Sequence, residues 1–367
     1  MGASASSDPH DSVSGALRDT IAHAIASAGG WLPFDRYMEL ALYAPGLGYY
    51  ARRAPFGRWP GSGSDFVTAP ELTPLFGRAL AHQLQQALGA CETDTVLEFG
   101  AGSGALAEVL LDALPLLRNY RIVELSAALR ERQVERLARF GARVQWLEHA
   151  PTELNAVLLA NEVLDAMPVK LLAFDGQRWR ERGVVVDAGA FAWDDRATGL
   201  RPPTDAACAA GTVTELHLQA QAFVASVAAW LHRGAVFLID YGFPAHEYYH
   251  PQRVGGTLMC HRAHTADADP LADVGLKDIT AHVDFTAIAL TGQDAGLQVL
   301  GYTSQARFLL NCGLLELMQQ ASPRERAPAH ALIAEHEMGE LFKVIGFAKG
   351  CTFDALGFAA GDRSHRL

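Results

Sequence analysis

The segment VLEFGAGSGAL, residues 96–106, constrains the fold of this 367-residue chain more than any other feature. A short apolar run passes into three glycines, Gly100, Gly102 and Gly104, and then into a helical pattern. Glycines adopt positive φ and let a ligand approach the backbone, and the first turn of a helix offers free N–H donors. A strand, a glycine turn and a helix in this order predict the nucleotide-binding unit of an α/β protein.

Short β-branched runs alternate with helical patterns from Thr95 onward, which is typical of an α/β protein with a mainly parallel sheet. The strand-like runs are TVLEF, YRIVEL, ARVQWL, AVLLANE, AVFLIDYG and LFKVIGFA. Two further runs, VKLLAF and RERGVVVD, flank Asp175 and Gly176 and predict an inserted hairpin.

The same patterns divide the chain into four parts. Residues 1–14 are predicted to form a flexible tail, and residues 15–90 an N-terminal helical and loop region that packs over the site. Within that region the stretch from Arg52 to Pro74 reads as a long loop, because it is rich in Gly, Pro, Ser and Arg. Residues 91–349 are predicted to be the main α/β domain, with inserts at about 169–215 and 243–281, and residues 350–367 a C-terminal tail.

Composition excludes several classes of protein. Half of the residues are apolar and 19% are charged, which is a poor fit to a disordered or fibrous chain. The 41 acidic and 30 basic residues give a net charge of −11, so the chain as a whole does not attract nucleic acid or anionic lipid. No run of about 18 apolar residues is present, and we expect neither nucleic-acid binding nor membrane insertion.

The cysteines and the N-terminal residues indicate a compartment. The cysteines form no close pair that would suggest a disulfide framework or a CxxC motif: Cys91, Cys208, Cys260, Cys312 and Cys351. We therefore expect reduced thiols. The first residues, MGASASSDPHDSV, lack the apolar core of a signal peptide and the arginines of a transit peptide. Together these features predict a cytoplasmic protein.

The glycine motif allows two cofactor classes. Gly100-Ala101-Gly102-Ser103-Gly104-Ala105 satisfies a loose dinucleotide fingerprint. Glu98 extends it to E-x-G-x-G-x-G, which resembles motif I of class I S-adenosylmethionine (SAM) methyltransferases, where an acid can face the ammonium of the ligand. Glu124, followed by Leu125, lies 24 residues after Gly100, at the distance expected for an acid that bonds ribose hydroxyls in either class.

The next two strands supply further candidates. Trp146 and Leu147 end the third strand, where an adenine would lie flat, although a tryptophan there is nearly as often a core residue. Asn161 ends the fourth strand and is a third cofactor candidate. Ligands of parallel sheets bind beyond the carboxyl ends of the strands, so we expect these residues to gather with the glycines.

Eight separate segments of the chain resemble the MidA-type SAM-dependent methyltransferases. They are FDRYMELALYAPGLGYY, DFVTAPELTPLFG, VLEFGAGSGAL, IVELSAALRERQ, ANEVLDAMPV, LIDYG, DITAHVDF and EMGELFKV. The chain departs from the family pattern at Ala127, where many relatives carry proline, and at Phe99-Gly100-Ala101, which is more often Leu-Gly-Pro. Neither departure removes a side chain that the chemistry requires.

The resemblance implies a fold and an activity. The fold is a Rossmann-like class I methyltransferase with a seven-stranded, mainly parallel sheet, whose last strand is antiparallel, and residues 91–349 form the methyltransferase domain. The cofactor is SAM. Mitochondrial members of the family are protein arginine methyltransferases needed for assembly of respiratory complex I, so the expected partner is an acceptor protein that carries an arginine.

Carboxylates are the natural grip for a guanidinium, which stays protonated at neutral pH. Glu162 and Asp165, just after the fourth strand, are therefore the first candidates for the acceptor site, with the alternative that they cap a helix. Thr68 and Glu71 are assigned by resemblance to the border of the cofactor or acceptor, Thr68 as a cofactor candidate and Glu71 as a catalytic candidate beside Glu162 and Asp165, or else they begin a helix. Four residues near the fifth strand remain secondary candidates: Asp240, Tyr241, His282 and Asp284.

Two clusters of polar residues imitate binding sites, one for a metal and one for RNA, and neither is predicted to be one. Cys260, His261 and His264 with Asp267 and Asp269 match no standard zinc spacing, and we predict no metal. Arginines concentrated between residues 118 and 143 alternate with glutamates and predict a solvated, ion-paired helix face rather than an RNA site.

Three alternatives stay open at this point. The chain could be a SAM-binding assembly factor without essential turnover, or a nicotinamide-dependent oxidoreductase. The apolar faces of the N-terminal helices could also serve a homodimer or cover the sheet.

Overall fold

The computed structural model describes residues 9–51, 67–148, 151–204, 206–262 and 265–367. The chain forms two compact units. The first unit comprises Met1–Arg53, Ala166–Leu218 and Tyr249–Ala281, and the second comprises Ala54–Asp165, Gln219–Tyr248 and His282–Leu367. These bounds differ from the predicted ones, because most of both predicted inserts joins the N-terminal helices in one unit.

The described residues contain helices and strands in alternation through much of the chain. The helices are α1 Pro9–Ser27, α2 Phe34–Tyr43, α3 Ala69–Leu72, α4 Pro74–Ala90, α5 Ala105–Ala113, α6 Ala127–Leu137, α7 Leu218–Trp230, α8 Ala245–Tyr248, α9 Phe285–Asp294, α10 Gln305–Asn311, α11 Leu314–Gln320 and α12 Pro323–Ala329. The strands are β1 Leu32–Pro33, β2 Thr95–Phe99, β3 Asn119–Val123, β4 Val144–Leu147, β5 Leu154–Asn161, β6 Lys170–Phe174, β7 Trp179–Asp187, β8 Ala190–Ala197, β9 Val213–Leu216, β10 Leu231–Phe243, β11 Met259–Arg262, β12 Thr265–Asp267, β13 Asp278–Thr280, β14 Val283–Asp284, β15 Gln298–Ser304 and β16 Phe342–Lys349.

The second unit is built on the predicted sheet. Its main strands follow the order β15-β16-β10-β5-β2-β3-β4, and β14 adds a short pairing to β10. Neighbouring strands from β4 to β10 are parallel, whereas β16 is antiparallel to both β10 and β15. This arrangement confirms the expected seven-stranded, mainly parallel sheet with an antiparallel last strand. All five residues of β2 are buried, as a central strand of such a sheet requires.

Helices α4 and α5 pack closely in the core of this unit. The Thr73 hydroxyl accepts a hydrogen bond from the Leu75 N–H, and Pro74 follows as the first helical residue, so the start of α4 is well defined. Gly77 lies where α4 meets α5, and a Cβ added there would come within 2.7 Å of Val109 Cγ1. The absence of a side chain at Gly77 therefore allows the two helices to approach.

The first unit contains two antiparallel sheets. One has the order β1-β7-β6-β9 with β8 paired to β7, and the other has the order β12-β11-β13. The β6–β7 pair is the predicted hairpin, and the Asp175 carboxylate accepts hydrogen bonds from the N–H groups of Gln177 and Arg178 in its turn. The hairpin prediction is confirmed, but the weakly periodic strands β8, β9 and β11 to β13 were not predicted.

Both chain ends are more structured than the sequence pattern indicated. Helix α1 begins at Pro9, within the predicted tail of residues 1–14, whose residues 1–8 lie outside the described part. At the other end, Phe358 is 7% exposed and packs so closely on Gly301 that an added Cβ would lie 2.3 Å from its ring. The predicted tail of residues 350–367 thus contributes to the core of the second unit.

A disulfide links Cys91 and Cys351 across 260 residues of sequence. The expectation that all five cysteines are free is corrected, because partners so far apart leave no spacing signal. Within the described ranges, no group of His, Cys, Asp and Glu side chains is arranged to hold a metal ion. No helix in those ranges has both the length and the apolar character needed to cross a membrane.

Candidate active site

The glycine loop between β2 and α5 has the backbone that its composition predicts. Gly100, Gly102 and Gly104 have φ of 62°, 55° and 80°, the left-handed region that side chains other than glycine rarely adopt. Gly104 is the N-cap residue of α5. A Cβ at Gly100 would also lie 2.9 Å from Val163 Cγ2, in the segment after β5. Ala101 is buried within the loop.

Glu98 lies inside the sheet beneath this loop. Its side chain is 3% exposed, and its Oε2 accepts a hydrogen bond of 2.7 Å from the Tyr120 hydroxyl. Burial raises the pKa of Glu98 to about 7, with a further upward contribution from the charge of Glu124 and an opposing one from the Tyr120 bond. Tyr120, on the neighbouring strand β3, was not among the predicted site residues.

Glu124 follows β3, and its two carboxylate oxygens are held by different donors. Oε1 accepts from the Ser126 N–H at 2.9 Å, and Oε2 accepts from Gln133 Nε2 at 2.9 Å. Burial raises the pKa of Glu124, and these hydrogen bonds act in the opposite direction. The next residue, Leu125, is 82% exposed.

Trp146 and Leu147, at the end of β4, are half-buried. The Trp146 indole N–H donates to Gln133 Oε1 at 2.9 Å. Gln133 therefore connects Glu124 with Trp146, two residues that the sequence placed at the cofactor. Gln133 itself was not singled out, because one glutamine within a charged helix carries no pattern.

Glu162 follows β5 in an unusual backbone conformation. Its φ is 54°, and its N–H donates to the Ile239 carbonyl at 2.9 Å. The Asn161 side-chain amide donates to Glu162 Oε1 at 3.0 Å. The Asn161 Oδ1 atom is buried and has no hydrogen-bond partner among the described residues. Left-handed residues other than glycine are concentrated at functional sites, where surrounding structure holds them.

Asp240, at the end of β10, fixes the turn that follows Glu162. Its Oδ2 accepts hydrogen bonds from the N–H groups of Val163, Leu164 and Asp165 at 3.2, 2.9 and 3.3 Å. Asp240 is fully buried. Burial, followed by the charges of Asp165 and Glu162, raises the pKa of Asp240 well above its usual range.

Tyr241 connects this turn to the rest of the sheet edge. Its hydroxyl donates to Asp165 Oδ2, and its ring contacts His282 edge-on with centroids 5.1 Å apart. Asp165 is 5% exposed. Asp284, by contrast, is the N-cap of α9, where Oδ1 accepts from the N–H groups of Thr286 and Ala287. The structure thus gathers Glu162, Asp165 and Asp240 into one cluster, which we call the acidic cluster.

Glu71 lies against the glycine loop, and Thr68 precedes it at the start of α3. Thr68 is the N-cap of α3, and its carbonyl accepts from the Glu71 N–H. The Glu71 carboxylate is hydrogen-bonded to the Ser103 hydroxyl and lies 3.8 Å from Arg136 Nη1. Arg136 also donates to Ser103 Oγ at 2.7 Å. Glu71 therefore contacts both the glycine loop and α6.

The arginine concentration around α6 is engaged within the second unit. Arg139 pairs with Asp112 at 2.5 Å and stacks on Phe140 at 4.4 Å. Arg143 donates to the carbonyls of Leu111, Leu114 and Leu117. Arg139 is thus ion-paired with α5, and Arg143 bonds backbone carbonyls, whereas the pairing of the helix arginines with the interleaved glutamates stays a prediction.

The sheet order, the glycine loop and the acid at the end of the second parallel strand define a class I SAM-dependent methyltransferase. Residues 75–303 match the model of a family described as "Putative S-adenosyl-L-methionine-dependent methyltransferase". The chain belongs to this family. SAM is therefore its cofactor, rather than the nicotinamide dinucleotide that the loose fingerprint also allowed.

Two kinds of relative agree with this assignment. A Burkholderia thailandensis protein solved with S-adenosyl-homocysteine (SAH) is 50% identical over the whole of both chains, with a TM-score of 0.94. The protein arginine methyltransferase NDUFAF7 homolog of Drosophila melanogaster mitochondria is 27% identical over 88% of this chain and 79% of its own length. The Danio rerio protein of the same name is 27% identical over 86% and 83%.

Proposed function

We propose that this methyltransferase transfers the methyl group of SAM to a guanidinium nitrogen of an arginine on a partner protein. The observation that carries the proposal is the acidic cluster. Three carboxylates converge after β5 and β10, where Asp165 and Asp240 are buried and Glu162 has left-handed φ. Several carboxylates held together in this way suit a ligand that is cationic and offers many N–H donors.

The donor site is proposed to consist of the glycine loop and the strand ends beside it. Gly100, Ala101, Gly102 and Gly104 would lie along the cofactor, Glu124 would accept from the ribose hydroxyls, and Trp146 with Leu147 and Leu125 would surround the adenine. The buried Oδ1 of Asn161, which has no hydrogen-bond partner in the described ranges, is proposed to accept from the ammonium of SAM. Glu71 is proposed to support the loop through Ser103, Glu98 to support the strand before the loop through Tyr120, and Thr68 to begin the helix that carries Glu71. When bound, SAM supplies an electrophilic methyl group.

The acceptor residues have separate tasks in this proposal. Glu162 and Asp165 bind the guanidinium and orient one nitrogen, while Asp240 and Tyr241 hold them in place through the contacts described above. The transfer breaks one S–C bond and forms one N–C bond, and the nitrogen releases one proton. A neighbouring carboxylate takes up this proton. The products are SAH and a methylated arginine.

The curated relatives support an arginine acceptor, because they are named protein arginine methyltransferases. The family resemblance makes a subunit of a respiratory complex the first acceptor to test.

The test is methyl incorporation from labelled SAM into candidate acceptor proteins, with the modified residue identified by mass spectrometry. We expect label on arginine with the wild-type chain and a loss of at least about 100-fold with Glu162→Gln or Asp165→Asn, because a bound cation loses its charged partner. Glu316→Gln, an exposed acid on α11, serves as the matched control and keeps full activity. All variants should bind SAH with wild-type affinity.

Two results would contradict the proposal. Label on lysine or on a hydroxyl group would exclude the arginine acceptor while leaving the methyltransferase class intact. Assembly of a partner complex that depends on the chain, with no label in any acceptor, would favour an assembly factor that binds SAM without turnover.

A further inference from the structure

Gln133 has a buried side-chain amide. Each of its hydrogen-bond partners belongs to the part of the site that is proposed to bind SAM. Gln133 is 0% exposed, and Nε2 donates to the Gly102 carbonyl and to Glu124 Oε2, both at 2.9 Å. Its Oε1 accepts from the Trp146 indole N–H at 2.9 Å. A carbonyl and a carboxylate can only accept and an indole can only donate, so these partners determine the orientation of the amide.

We propose that Gln133 is a positioning residue for SAM: it orients Glu124 toward the ribose and holds the Trp146 ring in place for the adenine. This inference rests on SAM as the cofactor and on the proposed donor-site roles of Glu124 and Trp146, and it does not depend on the arginine acceptor. Gln133 acts through other groups, so it is not itself a catalytic residue.

The geometry at Glu124 explains how such positioning works. The Ser126 N–H occupies one acceptor position on Oε1, and Gln133 Nε2 occupies one on Oε2. The Leu125 N–H is a third donor to this carboxylate. Each carboxylate oxygen can accept two hydrogen bonds, so capacity for a ribose hydroxyl remains. Without Gln133 only the backbone N–H groups of Ser126 and Leu125 would hold the carboxylate.

The helix that carries Gln133 also approaches the glycine loop directly. A Cβ on Gly104 would lie 3.5 Å from Gln133 Cγ and 3.6 Å from Arg136 Cδ. Residues three apart share a helix face, and here Gln133 contacts Gly102 while Arg136 contacts Ser103. One face of α6 therefore fixes the glycine loop, the Glu124 carboxylate and the Trp146 ring relative to one another.

Calorimetric titration with SAH tests the proposal without any acceptor. Gln133→Met keeps the length of the side chain and removes all its hydrogen bonds, and we expect SAH affinity to fall about tenfold or more. Gln133→Glu should weaken binding further, because its carboxylate would face Glu124 and the Gly102 carbonyl. In turnover assays the effect should appear in KM for SAM, with kcat at saturation changed less than about threefold.

A second pair of variants separates positioning from stability. Gln83→Met removes another fully buried amide of the same unit, which accepts from the Gly357 N–H, and should leave SAH affinity unchanged at similar thermal stability. The double variant Gln133→Glu with Glu124→Gln exchanges the amide and the carboxylate, so a hydrogen bond between residues 124 and 133 can form again. This double variant should bind SAH more tightly than Gln133→Glu alone.

The proposal is overturned if Gln133→Met binds SAH within about twofold of wild type, or if Gln83→Met weakens SAH binding equally. Should Gln133→Met fail to fold, Trp146→Phe tests the same contact, because it keeps an aromatic ring and removes the hydrogen bond to Gln133 together with part of the ring surface. Unchanged SAH affinity in that variant would also count against the proposal.

Discussion

At the scale of single residues, the site contains one backbone conformation that the sequence does not favour. Glu162 has φ of 54°, a region that costs an ordinary side chain roughly 1–2 kcal/mol. Glu162→Gly removes this cost but makes the unfolded chain more flexible, so we expect the free energy of unfolding to change by less than about 1 kcal/mol. Methyl transfer should be lost. Urea denaturation and the labelling assay measure the two effects. A large destabilisation with methyl transfer retained would contradict the prediction.

Glu98 makes the stability of the fold depend on pH. Its pKa is raised to about 7 in the folded chain, above the ordinary value of 4.5. The folded state therefore holds a proton that the unfolded state has released between about pH 4.5 and 7, and stability falls as the pH rises through this window. Glu98→Gln removes this loss while retaining an acceptor for Tyr120.

We expect Glu98→Gln to be more stable than wild type at pH 8, by on the order of 2 kcal/mol, and closer to it at pH 5. Denaturation at the two pH values measures the difference. Some slope should persist, because burial also raises the pKa of Glu124 and Asp240. An unchanged slope in Glu98→Gln would show that Glu98 titrates near its ordinary value in the folded chain.

At the scale of elements, two glycines of α4 have opposite surroundings. Gly77→Ala would place a Cβ 2.7 Å from Val109 Cγ1 and should destabilise the second unit by about 1–3 kcal/mol. Gly89→Ala meets nothing within 4 Å and should stabilise the helix by about 0.5–1 kcal/mol. Thermal unfolding of both variants, with Val109→Ala added to Gly77→Ala as a rescue, checks the assignment. Equal effects at both positions would contradict the close packing of α4 on α5.

Elements were predictable where a local pattern determines them. The strand, glycines and helix around Gly100 follow from periodicity and backbone freedom, and the Asp175 turn follows from its residues. The short strands β11 to β13 carry no such pattern, because few of their residues alternate. Contacts such as Gln133 with Trp146, or Glu71 with Ser103, join residues of different elements, so no spacing along the chain indicates them. The predicted loop before α3, with Asp65, lies mostly outside the described residues.

At the scale of the whole molecule, the disulfide is the strongest departure from the sequence prediction. Under non-reducing denaturation we expect three reactive thiols, Cys208, Cys260 and Cys312, and five after reduction. Reduction should lower the free energy of unfolding by roughly 2–5 kcal/mol, since the bond closes a long loop. Five thiols without a reductant would show that Cys91 and Cys351 are not bonded in solution. The cytoplasmic location, which is inferred from the cysteine spacing and the N-terminal residues, remains a prediction.

The strand order of the second unit has a consequence for how the chain is made. Strand β16 lies between β10 and β15, yet it is synthesised after both of them. Until residues 342–349 have left the ribosome, β10 presents an uncovered edge of apolar strand to the solvent, and β15 has no neighbour on which to form. Such edges promote association between chains. Completion of the sheet therefore waits for the synthesis of β16, and any stall before Phe342 should leave a nascent chain that depends on chaperones.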